Sequence, residues 1–87
     1  MTENFCKGAI IKVIAGREKN QIFIIKHTED NYCYLINGKT RKLNCPKKKN
    51  FKHLMLLKKE SGIDLDKAYD CDVINCIKDY IKSRDCK

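Results

Sequence analysis

The side chains of this chain that could do chemistry are its cysteines, its two histidines and, above all, its cations. The cysteines are Cys6, Cys33, Cys45, Cys71, Cys76 and Cys86. None form a Cys-x-x-Cys pair, and His27 and His53 have no matched cysteine spacing. A structural zinc site draws close-spaced ligands from tight turns, so no metal and no cofactor is expected. The thiols read best as small hydrophobes. Nucleophilic catalysis has little to work with. The only serines, Ser61 and Ser83, lack a nucleophile-elbow context, and no glycine-rich phosphate loop is present. A Cys45–His53 pair has no third group to orient it. Asp64, Asp66, Asp70 and Asp72 read as turn and cap residues. These features point to a binding protein and not an enzyme, with no small-molecule substrate.

The cations are the stronger signal. The net charge is +8 over 87 residues. Residues 1–59 hold 14 Lys/Arg against 4 Asp/Glu, whereas residues 60–87 hold 5 against 7. Residues 39–59 contain nine Lys/Arg and no acid. Such an excess attracts polyanions whatever the fold. Charge alone leaves RNA, DNA and an anionic membrane face open, and a merely solubilising surface is the bland alternative. The candidate contacts are Lys12, Arg17, Lys19 and Asn20 in the first basic stretch, with Lys39, Arg41, Lys42, Lys47, Lys48, Lys49, Lys52 and His53 in the second. Lysine ammonium groups meet phosphates as point charges, and arginine adds a bidentate fork.

These residues must be held by a small framework. A chain of this size buries only about 60% of its unfolded surface, enough for one core and a ligand surface. No apolar run is long enough for a membrane helix, and no basic-then-apolar leader is apparent; a cytoplasmic protein is the expectation. Residues 8–15, 21–28 and 31–36 are rich in β-branched and aromatic residues and read as strands. Asn37-Gly38 is a strong hairpin signal. It predicts a return strand over residues 39–43, with Lys47-Lys48-Lys49 in the following loop and a last strand over 53–57. Pro46 marks the break. Five short strands argue for a closed antiparallel barrel. Beyond residue 59, Val73, Ile74, Ile77, Tyr80 and Ile81 recur at helical spacing. A helix is expected over residues 71–84 with Asp70 as N-cap, packed on the barrel or across its open end. Tyr32 and Tyr34 share one strand face. Their rings either pack in the barrel or under the helix, the favoured reading, or stack on bases.

One strand ends at Gly16, a basic turn follows through Arg17-Glu18-Lys19-Asn20, and a second apolar strand begins at once. With Lys7-Gly8-Ala9-Ile10-Ile11, Asn31-Tyr32, Asn37-Gly38-Lys39, Pro46-Lys47-Lys48-Lys49 and Lys52-His53-Leu54, this order resembles the KOW motif over roughly residues 7–57. That motif occurs in large-subunit ribosomal proteins and their small bacterial relatives. Where the family usually has glycine, this chain has Asn20, which tolerates the left-handed conformation. The resemblance implies a small SH3-like five-stranded barrel, which residues 1–59 would form; with the connector and C-terminal α-helix read from the spacing over 60–87, the fold expected is mainly β. The resemblance also implies binding to RNA, ribosomal RNA in particular, with ribosomal proteins as possible neighbours. Docking on an acidic protein of the transcription or translation machinery, and nonspecific duplex-DNA binding, are the other classes.

Overall fold

The computed structural model describes residues 5–85. Five strands form one antiparallel sheet: β1 (Ile10–Val13), β2 (Ile22–Glu29), β3 (Tyr32–Ile36), β4 (Lys47–Asn50) and β5 (Leu54–Lys58). Their order is β4-β3-β2-β1-β5. A single 3-10 turn, η1 (Phe51–His53), links β4 to β5, and one helix, α1 (Asp70–Asp85), closes the chain. The mainly β, barrel-like architecture with a C-terminal helix is the expected one, but the closure is not: β4 and β5 are the two edges of the sheet and do not pair with each other.

The sheet is apolar on both faces along its central strands. Ile11, Val13, Phe23, Ile25, Cys33 and Leu35 alternate inward and form the barrel core with Ala9 and Leu54. The residues between them, Ile10, Ile24 and Ile36, therefore point outward. They are not wet. Val73 and Ile77 of α1, with Leu65 of the connector, bury all three in a second cluster. The helix thus lies against the outer wall of the barrel. The register Ile10↔Ile24↔Ile36 sets the three outward isoleucines side by side under it.

Two local expectations are corrected. Asn37-Gly38 does not make a two-residue hairpin, and residues 39–43 are not a strand. The Asn37 side-chain oxygen accepts from the Lys39 and Arg41 amides, both at 2.9 Å. The Asn37 and Gly38 amides donate back to the Arg41 carbonyl. Asparagine here closes an Asx-type turn, which opens a wide excursion over residues 37–46. The true partner of β3 is β4, so the triple lysine is strand, not loop. Gly38 has φ +79°, and a Cβ there would run into the Asp70 carbonyl and stand 2.7 Å from Ile74 Cγ1. Glycine is required where the excursion passes beneath the start of α1. The second correction concerns the cap. Asp70 is already helical, and its Oδ1 accepts from the Leu43 amide at 2.8 Å. The cap position falls on Tyr69, whose amide donates to Asp72 Oδ2 at 2.8 Å, the reciprocal half of a capping box.

The cysteines divide. Cys33 lies in the barrel core, where burial pushes its thiol up to about 12, and Cys76 packs against the helix-side cluster. Cys6, Cys45 and Cys71 are exposed free thiols, contrary to the reading of the set as small hydrophobes. Cys86 lies outside the described residues.

Deleting residues 70–87 uncovers Ile10, Ile24 and Ile36, each worth roughly 1.5–3 kcal/mol of burial. At about 4–8 °C per kcal/mol for a domain of this size, calorimetry should show Tm falling by at least about 15 °C. Gly38→Ala and Gly62→Ala share the cost of a left-handed alanine, about 1–2 kcal/mol. A Cβ at Gly62 meets nothing within 4 Å. Urea titration should therefore find Gly38→Ala the more destabilised, by about 1–3 kcal/mol.

Candidate nucleic-acid interface

The turn between β1 and β2 is shaped by two left-handed residues, Gly16 at φ +91° and Asn20 at φ +75°. Asparagine does take the conformation expected of it. The Asn20 amide donates to the Val13 carbonyl at 2.7 Å and the Lys19 amide to Gly16 at 3.2 Å. This lifts Arg17 and Lys19 into solvent and turns Glu18 the other way. Glu18 is the residue that sequence reasoning passed over. Its Oε2 lies 3.3 Å from Arg41 Nη2 and its Oε1 3.6 Å from Lys49 Nζ. One carboxylate thus joins the β1–β2 turn, the 37–46 excursion and β4. Burial pushes the Glu18 carboxyl upward. The hydrogen bond from Arg41 and the charges of Lys47, Lys49 and Arg41 outweigh this and hold it below the usual carboxylate range. A signal existed: Glu18 is the one acid between Glu3 and Glu29.

The lysine cluster does not act as one unit. A strand sends successive side chains to opposite faces. Lys47 stands opposite Leu35 and Lys49 opposite Cys33, so both share the inward face. Lys49 is only 15% exposed, with its ammonium beside Gly16, where a Cβ would be 2.8 Å from Nζ. Lys48 stands opposite Tyr34 and points outward into solvent. Lysines on an edge strand also discourage edge-to-edge pairing, a structural role that β4 at the sheet edge calls for.

The predicted contacts therefore sort into groups. Arg17, Lys19, Lys39 and Lys42 are exposed on the two loops that Glu18 draws together. Arg41 and Lys49 are held in that junction and are structural first. Lys12 is half-buried on β1 between Ile22 and Met55. Lys52 and His53 are exposed in η1, beyond the far end of β4 from Lys47. The Phe51 amide ties η1 to Asn31 at 3.1 Å, and the His53 carbonyl accepts from Ile14 at 2.8 Å.

The tyrosines lie where the favoured reading did not put them. Tyr32 and Tyr34 are on the outer face, beyond the part that α1 covers, and only Cys33 between them enters the core. A register shift between Ile25 and His27 turns His27 to the same face, opposite Tyr34. Their rings stack at 4.2 Å, 19° from parallel. Tyr32 is 39% exposed, and Lys48 Nζ lies 4.5 Å from its ring centroid. The Tyr34 hydroxyl donates to Glu29 Oε1 at 2.8 Å, and this bond chiefly raises its pKa. Among the described residues, no three His, Cys, Asp or Glu are grouped to hold a metal ion.

Because its carboxyl is depressed in the fold, Glu18 stabilises the native state above the ordinary glutamate pKa of about 4.3, and that contribution fades as pH falls through the lower folded value. Glu18→Gln should lower the urea midpoint at about pH 7, and the gap from the parent should close towards about pH 3. A gap that persists in acid would mean that shape, and not charge, joins the loops. No family model matches the chain, and no curated protein matches it in sequence.

Proposed function

We infer that this chain is an RNA-binding module of the ribosome-associated kind, which grips folded RNA by its phosphates. The observation that carries this reading is the junction at Glu18. It brings the 16–20 turn and the 37–46 excursion to one end of the barrel and leaves Arg17, Lys19, Lys39 and Lys42 exposed there. Two loops with four free cations suit neighbouring phosphates on a folded backbone. The resemblance of residues 7–57 to the KOW motif supports the same conclusion, as does the acid-free stretch from residue 39 to 59. The ligand is ribosomal or similarly structured RNA, and the chain works by binding and not by catalysis. No helix among the described residues is long and apolar enough to cross a membrane.

Each phosphate contact contributes about 0.7–0.9 to the slope of log affinity against log salt. Lys19→Ala, Lys39→Ala and Lys42→Ala should each weaken binding to a structured ribosomal RNA fragment and reduce that slope by about 0.7–0.9, by fluorescence anisotropy across salt. The triple variant should lose co-sedimentation with ribosomes. Unchanged affinity and slope in the triple variant would refute the assignment, and displacement of the RNA by an equal nucleotide concentration of duplex DNA would refute the preference for RNA.

A further inference from the structure

The outer face of the sheet is shared unequally. The helix covers Ile10, Ile24 and Ile36 and stops short of the remainder. Past that boundary the same face carries His27, Tyr34, Tyr32 and Lys48 across three adjacent strands. We propose that this aromatic strip is a second contact surface, which stacks unpaired bases of single-stranded RNA. The proposal rests on the RNA reading above but concerns a different face and a different chemistry, the base and not the phosphate.

Three observations favour a base as the occupant. First, Tyr32 and Tyr34 are two residues apart on β3, a separation of about 6.8 Å. The two side chains are therefore presented on one face, within reach of one short run of bases. Second, the Tyr34 ring is fixed in advance. His27 stacks on Tyr34, and the Tyr34 hydroxyl is tied to Glu29. Little ordering is left for a ligand to bear. Third, the strip has a cationic side and an anionic side. Lys48 lies over Tyr32 from β4, while Glu29 lies across on β2. A strand of RNA would run its phosphates along β4, where Lys48 and then Lys52 are exposed, and turn its bases inward over the tyrosines. Lys48 then exchanges an aromatic ring for a phosphate. A cleft of about 310 Å³ among Asn31, Asn50, Phe51 and Lys52 continues the track beyond Tyr32. The Asn31 side chain and the Nδ2 of Asn50, whose Oδ1 already accepts from the Lys52 amide, suit the hydrogen-bonding edge of a splayed base.

The test uses the full chain and three probes in anisotropy: an oligouridine of about ten nucleotides, an abasic ribose-phosphate oligomer of equal charge, and an RNA hairpin without a single-stranded tail. Oligouridine should bind at least about 5-fold more tightly than the abasic oligomer. Tyr32→Ala should erase that difference and leave hairpin binding within about two-fold, while Tyr32→Phe retains it. Tyr32 is partly exposed at the start of its strand, so the alanine variant keeps the core, which a melting curve checks. Equal binding of oligouridine and abasic oligomer, with the hairpin still bound, overturns the stacking surface and spares the RNA reading. Loss of all three probes overturns both. Binding of a proline-rich peptide in place of oligouridine, abolished by Tyr32→Ala, assigns the face to a protein partner and also overturns the proposal.

Discussion

Ile10, Ile24 and Ile36 stand on the solvent side of a barrel wall, and the rest of the molecule is arranged around the need to cover them. A half-exposed antiparallel strand alternates apolar and polar residues; a strand buried on both faces does not. Here Ile10-Ile11, Ile22 to Ile25 and Leu35-Ile36 leave no polar side at the sheet centre. The barrel interior takes one half of each run, and α1 takes the other through Val73 and Ile77. The helix is a structural wall of the protein and not an appendage to a finished domain.

That packing reaches the charged end of the molecule. The excursion carrying Lys39, Arg41 and Lys42 is fastened to the start of α1 by the Asp70–Leu43 hydrogen bond and by the close passage of Gly38 beneath Asp70 and Ile74. Lys26 adds a 2.7 Å bond from its ammonium to the Leu43 carbonyl. The acidic C-terminal third and the basic first two thirds look like separate functions in the sequence. In the fold, a carboxylate of the first positions a loop of the second.

Charge is used in two ways on the same surface. Like charges brought to one end of a barrel of this size repel, and the repulsion grows as they are desolvated. Glu18 relieves it at the point where three segments meet, and Arg41 and Lys49 are partly buried as a result. Arg17, Lys19, Lys39 and Lys42 stay exposed, where solvent and salt screen them. A count of basic residues therefore overstates the positive charge that is free at this end. The cations split into those that hold the end together and those that project from it.

Much of the fold was legible in the residues alone. β-Branched and aromatic runs marked β1, β2 and β3 to within a few residues, the apolar run after the basic stretch marked β5, and the spacing of Val73, Ile77 and Tyr80 marked the helix, because period and composition are local properties. Asn20 could be assigned its left-handed turn for the same reason. What failed were inferences that depend on partners distant in sequence. Asn37-Gly38 reads as a tight hairpin, yet the same pair forms a wide Asx turn once α1 lies over it. Lys47-Lys48-Lys49 reads as a loop patch, until pairing with β3 makes it a strand and the period of two divides it. Tyr32 and Tyr34 had a common face from their spacing, but nothing local says whether that face is inside or outside. The sequence by itself determined four of the five strands, the helix and the sign of the field. Tertiary structure decided which cations Glu18 holds, which remain exposed, and that the tyrosines face solvent, because each of those depends on the register between strands and on how far one helix extends across the sheet.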